Sequence, residues 1–348
     1  MKTFILIAKC YDKEVGGPAE IVRGLIKELK RRECNFIRVL MKEDSKKRAF
    51  IKEVFKSCLK NKDAVVNVHT HGLMIPALVY ACSKINKANS YYLTVHGLYC
   101  LESSINNNKK KKNEILEKIL IKNFQHLICV SEIQREDIER IYGRSQDIIV
   151  IPNATDAVSD VIPSGEPGPL KLLFLGGLSN IKGIDYVLDL CSCLKRKGAL
   201  FDLSIYGRDE KRLSWFEDYI MNHDLSNEVQ YKGVLTEKQK VYDTIAAADY
   251  LLCLSRQDTY NVAIAEGLAL GCPVIASDRC GAAYLIRGEE GLVINSDTEK
   301  DSDFDKTYKY IKSFEEDKDK RRRVYEGRKA FADGLSWTSI GDTYFRLN

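Results

Sequence analysis

The chain has 348 residues, with 54 lysines and arginines against 49 aspartates and glutamates and a formal net charge of +5. This length exceeds that of most single domains and predicts two α/β domains of about 150 residues each. The small charge excess excludes a broad basic surface for nucleic acid, so we expect no nucleic-acid partner.

The cysteines and the apolar runs bear on the compartment. The eleven cysteines include no Cys-x-x-Cys pair, which favours reduced, buried thiols over a zinc or redox site. The apolar run near the N-terminus is too short for a signal peptide, and no run reaches the roughly 20 apolar residues of a spanning helix. We therefore expect a cytoplasmic protein, at most peripheral on the inner face of the membrane.

Apolar segments alternate with segments of helical period from the first residues, which predicts a doubly wound parallel sheet. The strands predicted in this first part are Thr3–Ala8, Phe36–Met41, Val65–His69, Tyr91–Thr94, His126–Val130 and Ile148–Ile151. The segment 152–169 holds four of the seven prolines and interrupts the alternation, as a linker would.

A second alternation follows the linker. Its predicted strands are Lys171–Leu175, Phe201–Tyr206, Val229–Lys232, Tyr250–Leu254 and Val274–Ala276. Near the end, Trp337, Ile340, Tyr344 and Phe345 recur at helical spacing and predict one packing face. We therefore place a first domain at residues 1–160, a second at 161–333 and a terminal helix at 334–348.

Glycine-rich turns are predicted after the first strand of each domain. The first turn contains Gly16 and Gly17, and the second contains Gly176 and Gly177 followed by Lys182. Glycine lets backbone amides approach a phosphate, and the N-terminus of the following helix adds partial positive charge. The alternative is an ordinary strand-to-helix turn with a solvated lysine.

Two histidine-containing turns follow the third and fourth strands, with His69 and His71 in one and His96 in the other. No acidic or thiolate ligand is spaced with them, so we predict no zinc site. His69 and His71 are equally well explained as sheet-edge histidines with satisfied hydrogen bonds. Only His71 is kept as a candidate cleft residue.

The segment 248–294 has the pattern strand, turn, helix, strand of a βαβ unit. Asp258 lies in its turn, and Glu266 follows eight residues later on the helix. Ligands of open α/β sheets bind outside the carboxyl ends of the strands, where this turn lies. Apolar neighbours on both sides disfavour a surface position for Glu266. The Asp-x-Asp at Asp301 and Asp303 is interpreted as solvated charge.

The acids of this segment and the following Gly-Cys-Pro-Val-Ile-Ala-Ser resemble the donor-sugar signature of family 4 retaining glycosyltransferases. With the glycine turns, His96 and Lys182, the resemblance covers nearly the whole chain in order. It implies the GT-B fold, an α/β architecture of two Rossmann-like doubly wound domains facing a cleft. In that fold the terminal helix crosses back to the first domain.

The resemblance also implies roles for the catalytic candidates. His96 lies beside the donor sugar, Lys182 neutralises the departing diphosphate, and Glu266 accepts hydrogen bonds from the ribose of the nucleotide. Asp258 stands where the family has a glutamate, so its carboxylate is displaced by about 1.5 Å from the family position. It is predicted to position a sugar hydroxyl.

One departure concerns Gly177, which stands where the family usually has arginine. Arg208 and Arg256 are the candidates to replace that phosphate ligand. The other predicted donor-binding residues are Gly16, Gly17, Gly233, Tyr260, Asn261 and Val262, the last three through amides at a helix N-terminus. The predicted acceptor or cleft residues are His71, Ser131 and Asn153.

These assignments predict a retaining glycosyltransferase that needs neither a metal nor another cofactor. Its donor is a nucleotide diphosphate sugar, with UDP favoured, and its acceptor is a glycan or lipid-linked molecule of bacterial surface polysaccharide synthesis. The alternative is a catalytically weak nucleotide-sugar-binding accessory subunit. A GT-B epimerase is disfavoured because no acid-base constellation for it is found.

A polybasic turn at Lys109, Lys110, Lys111 and Lys112 leads into a helix with Ile115, Ile119, Leu120 and Phe124. Such a turn beside an apolar stripe is typical of an anionic membrane contact. The alternative is a solvated start of a helix whose apolar stripe lies entirely in the core.

Overall fold

The computed structural model describes residues 2–9, 17–41, 46–69, 72–161, 168–208, 210–295 and 300–347. Gly16 and His71, two of the predicted site residues, lie outside these ranges. The chain forms two compact units, one of Met1–Ala154 with Ser336–Asn348 and one of Thr155–Leu335. The sequence prediction placed the first change of domain six residues later, after residue 160.

The first unit is a doubly wound α/β domain. Its strands are β1 (Phe4–Lys9), β2 (Phe36–Met41), β3 (Val65–His69), β4 (Ser90–Val95), β5 (His126–Cys129) and β6 (Ile148–Val150). Its first six helices are α1 (Gly17–Arg31), α2 (Lys47–Lys60), α3 (Met74–Ile85), α4 (Tyr99–Ile105), α5 (Lys111–Asn123) and α6 (Glu132–Tyr142). The strands pair in parallel in the order β2-β1-β3-β4-β5-β6, so the winding reverses between β1 and β3.

The second unit repeats this architecture. Its strands are β7 (Leu170–Phe174), β8 (Phe201–Ile205), β9 (Val229–Tyr231), β10 (Tyr250–Cys253), β11 (Val274–Ser277) and β12 (Gly291–Ile294). Its helices are α7 (Ile184–Arg196), α8 (Leu213–Asn222), α9 (Lys238–Ala246), α10 (Val262–Leu270), α11 (Lys300–Glu316) and α12 (Lys318–Leu335). The parallel order β12-β11-β10-β7-β8-β9 reverses between β7 and β10.

The two sheets confirm the predicted doubly wound class. The inner strands are buried along their length, as expected for parallel sheets covered on both faces. Strand β12 was not predicted, because its four residues follow the charged turn Arg287–Glu290 and lack a clear period. Among the described helices, none is both long and apolar enough to cross a bilayer.

The last helix, α13 (Trp337–Phe345), belongs to the first unit. Ser336 caps it by accepting a hydrogen bond from the amide of Ser339 at 3.2 Å. Its packing on α1 is close, because a Cβ atom added to Gly24 would lie 2.0 Å from the Trp337 ring. An ion pair of 2.5 Å joins Asp342 of α13 to Arg32, the residue that follows α1.

The interpretation of Asp303 as solvated charge is wrong. Its side chain is 0 % exposed and accepts hydrogen bonds from Tyr186 Oη and Lys306 Nζ, both at 3.3 Å. Phe304 and Ile311 of the same helix are also buried. Asp303 therefore lies on the inner face of α11, where it joins this helix to α7.

Candidate functional site

In the second unit, the loops after β7 and β10 flank the point where the sheet reverses, which is the expected ligand position in such sheets. They bring together two predicted residues, because Lys182 Nζ lies 2.5 Å from Asp258 Oδ2. The Asp258 side chain is 12 % exposed and that of Lys182 is 39 % exposed. Desolvation opposes the charged form of Lys182, but the Asp258 carboxylate outweighs it and raises the lysine pKa. A paired ammonium group therefore lies at the sheet edge.

The other oxygen of Asp258 closes the turn into α10. Asp258 Oδ1 accepts hydrogen bonds from the amides of Asn261 at 2.9 Å and Tyr260 at 3.3 Å. Such local bonds are favoured by aspartate in turns. Two of the three amides predicted to face the donor are thus bound to Asp258. The amide of Val262, the first residue of α10, has no acceptor among the described residues.

Asn261 makes the change of direction that starts α10. Its φ of 66° and ψ of 81° are left-handed, a conformation that asparagine adopts more readily than most residues. The helix that follows is buried from Ile264 to Leu270, and Gly267 packs closely against β10 and β11. The sequence folds this way because an almost wholly apolar helix must be covered on all sides.

Glu266 is a buried residue of α10 with a protein partner. Its side chain is 5 % exposed, and its Oε1 lies 2.5 Å from Lys238 Nζ. Lys238 is the first residue of α9, and its ammonium lies 4.9 Å from the centre of the Tyr242 ring. Sequence reasoning missed Lys238, because a lysine beside Glu237 at the start of a helix carries no motif. A second ammonium–carboxylate pair therefore lies in this unit.

The glycine turn after β7 explains the missing arginine. Gly177 has a φ of 60°, and a Cβ atom there would lie 2.0 Å from the carbonyl oxygen of Arg208. The two loops are joined by backbone hydrogen bonds from Gly177 to Tyr206 at 2.9 Å and from Leu178 to Arg208 at 3.2 Å. No side chain fits at position 177 in this arrangement.

The two arginines proposed as replacements differ. Arg256 donates to both carboxylate oxygens of Asp185 and, at 2.6 Å, to the carbonyl of Asn180. It therefore holds the loop before α7 and has little freedom to contact a phosphate. Arg208 is exposed and forms no ion pair with the described residues. Its position directly against Gly177 makes it the better candidate.

Gly233 lies just beyond β9, in a loop that is hydrogen-bonded to the loop of Gly207. It has a φ of 74° and accepts a hydrogen bond from the amide of Gly207 at 2.8 Å. Gly207, with a φ of 135°, approaches Gly177 so closely that a Cβ atom would lie 2.5 Å from its nitrogen. Gly177, Gly207 and Gly233 thus line three neighbouring loops at the carboxyl edge of the sheet.

In the first unit, the predicted residue His96 is bound to a histidine that the sequence analysis set aside. His96 follows β4, and its Nε2 lies 3.1 Å from Nδ1 of His69 at the end of β3. His69 is 0 % exposed, and burial lowers its pKa to about 3. His69 is therefore neutral at ordinary pH.

The other predicted residues of this unit have structural partners or positions. Ser131 is buried and caps α6 by accepting a hydrogen bond from the amide of Gln134 at 3.2 Å. Asn153 is 5 % exposed, and its Oδ1 has no hydrogen-bond partner among the described residues. Gly17 is exposed at the start of α1 with a φ of 58°. Within the described residues, no three acidic, histidine or cysteine side chains are grouped as metal ligands.

The apolar stripe of α5 is only partly buried. Leu120 and Phe124 are 1 % and 2 % exposed, whereas Ile115 and Ile119 are 52 % and 43 % exposed. The lysines at 109–112 are exposed at the start of this helix. The helix therefore presents two isoleucines to solvent beside a cluster of positive charges.

Comparison with known proteins supports the family that the motifs indicate. Residues 37–158 match the family model described as Glycosyltransferase Family 4, and residues 169–305 match the model described as Glycosyl transferases group 1. The amylovoran biosynthesis glycosyltransferase AmsK of Erwinia amylovora is 29 % identical over an alignment of 126 residues that covers 34 % of this chain. This match spans 30 % of the length of that relative.

Solved structures show the same fold over the full length. HepE of Anabaena, in complex with UDP and glucose, has a TM-score of 0.74 and 14 % identity, with 100 % of both chains covered. Sucrose-phosphate synthase of Thermosynechococcus elongatus has a TM-score of 0.78 and 15 % identity, covering 100 % of this chain and 99 % of that one. The chain therefore belongs to the family 4, group 1 glycosyltransferases and has the two-domain Rossmann-like GT-B fold.

Proposed function

We propose that the protein is a retaining glycosyltransferase that moves a sugar from a nucleotide diphosphate sugar to a glycan or lipid-linked acceptor. The observation that carries this proposal is the Lys182–Asp258 pair at the reversal point of the second sheet, with buried Glu266 on the following helix. A UDP-sugar donor is supported by the fold shared with HepE, which was solved with UDP and glucose. A role in bacterial surface polysaccharide synthesis is supported by the likeness to AmsK.

The proposed chemistry is displacement at the anomeric carbon of the donor. The bond from this carbon to the diphosphate oxygen breaks, a bond to the acceptor oxygen forms, and the acceptor proton leaves with the diphosphate or to solvent. Charge develops on the diphosphate, and Lys182 supplies a positive group that stabilises it. The amide of Val262 and the positive end of α10 act in the same direction.

Lys182 reaches the donor by sharing its charge between Asp258 and the phosphates. The lysine is 39 % exposed, so a phosphate can approach it without displacing the aspartate from the turn. The Asp258 carboxylate also keeps its two amide hydrogen bonds, which hold it in place. Arg208 adds a second positive charge from the loop beside Gly177.

Glu266 is proposed to accept hydrogen bonds from the ribose hydroxyls. Its Oε1 is 2.5 Å from Lys238, and a carboxylate has further lone pairs for a ribose. Lys238 then holds the carboxylate in one orientation. The second unit thus binds the nucleotide sugar, and the first unit is proposed to bind the acceptor and to contribute His96.

The direct test is a panel of nucleotide sugars, measured first by thermal shift and then by hydrolysis and transfer. We expect UDP-sugars to raise the melting temperature most and to be hydrolysed slowly without an acceptor. NMR of the transfer product should show the anomeric configuration of the donor. An inverted product would contradict the retaining assignment, and stabilisation only by other nucleotides would contradict the UDP preference.

An accessory subunit that binds nucleotide sugars without turnover is a second candidate. It is favoured by the finding that Lys182 and Lys238 are both paired with carboxylates of the same chain. Donor hydrolysis separates the two functions. Tight donor binding with no hydrolysis by the isolated chain would favour the accessory function over the enzyme.

We also propose that α5 contacts an anionic membrane surface near a lipid-linked acceptor. The exposed side chains of this surface are Lys109, Lys110, Lys111, Lys112, Ile115, Lys118, Ile119 and Lys122. Each lysine near such a surface contributes about 1 kcal/mol, and the exposed isoleucines can enter the headgroup region. Salt should weaken the contact.

Co-sedimentation with anionic vesicles tests this surface. A variant with Lys109–Lys112 changed to serine should lose the binding that wild type shows at low salt. The matched control changes the exposed lysines Lys52, Lys56, Lys60 and Lys62 to serine, which alters the net charge equally. Equal binding by the two variants would leave only a general charge effect and would reject the α5 contact.

A further inference from the structure

His69 lies in a buried row of polar side chains on the sheet of the first unit. It pairs in register with Thr94 of β4, and Asn67 precedes it by two residues on the same strand face. All three residues are 0 % exposed. Three polar side chains at neighbouring positions inside a sheet require hydrogen bonds to one another.

The hydrogen bonds of this row set the protonation of His69. As the structure orients the Asn67 amide, Thr94 Oγ1 donates its single proton to Asn67 Oδ1 at 2.9 Å, and Asn67 Nδ2 has no hydrogen-bond partner among the described residues. Its contact of 3.2 Å with His69 Nε2 therefore has the hydroxyl as acceptor, so Nε2 carries a proton. In a neutral imidazole the other nitrogen is then bare. His69 Nδ1 accordingly accepts a hydrogen bond from His96 Nε2 at 3.1 Å.

The surroundings keep His69 neutral. Burial alone lowers its pKa to about 3. Two titratable rings of the described structure lie beside it, those of His96 and of Tyr344 of α13, with ring centres 5.2 and 6.0 Å away. Neither brings a carboxylate that would stabilise an imidazolium. His69 is thus a fixed acceptor rather than a second acid or base.

We infer that His69 is a positioning residue that holds His96 in its Nε2-protonated tautomer and in one ring orientation. This inference rests on the proposed function for its consequence in catalysis. With Nε2 directed at His69, Nδ1 is the ring nitrogen of His96 that this pair does not use. In a neutral imidazole with a proton on Nε2, Nδ1 is an acceptor, and in the proposed function it accepts a hydrogen bond from a hydroxyl of the donor sugar.

Ring-nitrogen NMR tests the hydrogen-bond direction without any substrate. The chain has five histidines, so uniform histidine ring labelling gives a spectrum that single substitutions can assign. We expect His69 to show a protonated Nε2 and a bare Nδ1 from pH 5.5 to 8, and His96 to show a protonated Nε2 at pH 8. A protonated Nδ1 on His69, or titration of His69 in this range, would overturn the inference.

Two substitutions separate positioning from a general loss of structure. His69→Leu removes the acceptor, whereas His69→Asn retains an oxygen acceptor close to the position of Nδ1. We expect His69→Leu to lower kcat by roughly 10- to 100-fold, as for a misplaced group, and to release the tautomer of His96. His69→Asn should recover most of the kcat and the Nε2 proton of His96.

The control is His223→Asn, which removes an exposed imidazole stacked on Tyr219 at 4.0 Å in the second unit. It should leave both kcat and the His96 spectrum unchanged. An unchanged His96 tautomer in folded His69→Leu would overturn the inference. If the wild-type chain transferred no sugar from any donor, the proposed function would fail, and the NMR result would still decide the role of His69.

Discussion

The two units hold their candidate site residues by different interactions. In the second unit, Lys182 and Lys238 form ion pairs with Asp258 and Glu266, contributed by separate loops and helices. In the first unit, His96 is held by neutral hydrogen bonds that run into the sheet. An ion pair at a loop can exchange partners when an anion arrives, whereas a buried neutral row holds one geometry. This difference suits diphosphate binding in one unit and the orientation of a sugar hydroxyl in the other.

The largest effect is expected for Lys182→Ala, which removes the exchangeable charge. Losing one such stabilising group typically lowers turnover by about 100-fold or more. Initial rates with a saturating donor measure this effect, and the melting temperature reports on the fold. The matched control is Lys240→Ala, because Lys240 pairs with Glu237 and is 62 % exposed. Rates within a few-fold of wild type would remove Lys182 from the diphosphate site.

The close approach of the Gly177 loop to the loop of Gly207 and Arg208 is tested by Gly177→Ala. The left-handed φ and the 2.0 Å contact with Arg208 both oppose a side chain there, so we expect a loss of about 3 kcal/mol in the free energy of unfolding. Gly198→Ala is the control, because its φ is 76° and nothing lies within 4 Å of an added Cβ atom. It should cost only about 1 kcal/mol, through the φ strain alone. Equal losses in denaturant titrations would show that the loops separate easily.

The pH dependence of stability tests the buried row that contains His69. The pKa of His69 is about 3 in the folded chain and ordinarily near 6.5, so the unfolded chain binds the extra proton between these values. The contribution of neutral His69 to the free energy of unfolding is therefore fully present above pH 6.5 and is lost as the pH falls. Between pH 7 and pH 5, wild type should lose about 2 kcal/mol more than His69→Asn. Parallel losses for the two proteins would show that His69 is solvated or protonated when folded.

No effect is expected from removing divalent metals. The proposal assigns the diphosphate charge to Lys182, Arg208 and the N-terminus of α10, so EDTA should leave the transfer rate unchanged. Rates before and after chelation, with Mg²⁺ or Mn²⁺ added back, measure this. A rate that EDTA abolishes and Mn²⁺ restores would shift the role of these groups to a bound cation.

The predictable part of the molecule follows from local patterns. Strand and helix periods indicated two doubly wound sheets, and the turn that holds Asp258 was placed correctly at the end of β10. Lys238 was missed because its pairing with Glu266, 28 positions away, arises only when α9 and α10 pack together. The proposed role of His69 depends on the register between β3 and β4, which places His69 opposite Thr94. This register cannot be deduced from the sequence of either strand alone.

Asp303 was also misassigned from the sequence, because it was predicted to be solvated and is buried. Its neighbours in sequence are mostly charged, and only the helical face shared with Phe304 and Ile311 places it inside. Composition therefore suggested solvent, while three-dimensional packing placed the carboxylate against Tyr186. The sequence pattern therefore does not predict the position of a residue whose partners lie on other helices or strands.

The packing of α13 on α1 has a consequence for the order of synthesis. A ribosome makes residues 155–335 before it makes Trp337, which covers Gly24, and Tyr344, which lies beside His69. Domains generally fold as units while the chain emerges. The unit that starts first is thus completed last, and a nascent chain that stops at residue 335 has a finished second unit but an uncovered His69 row.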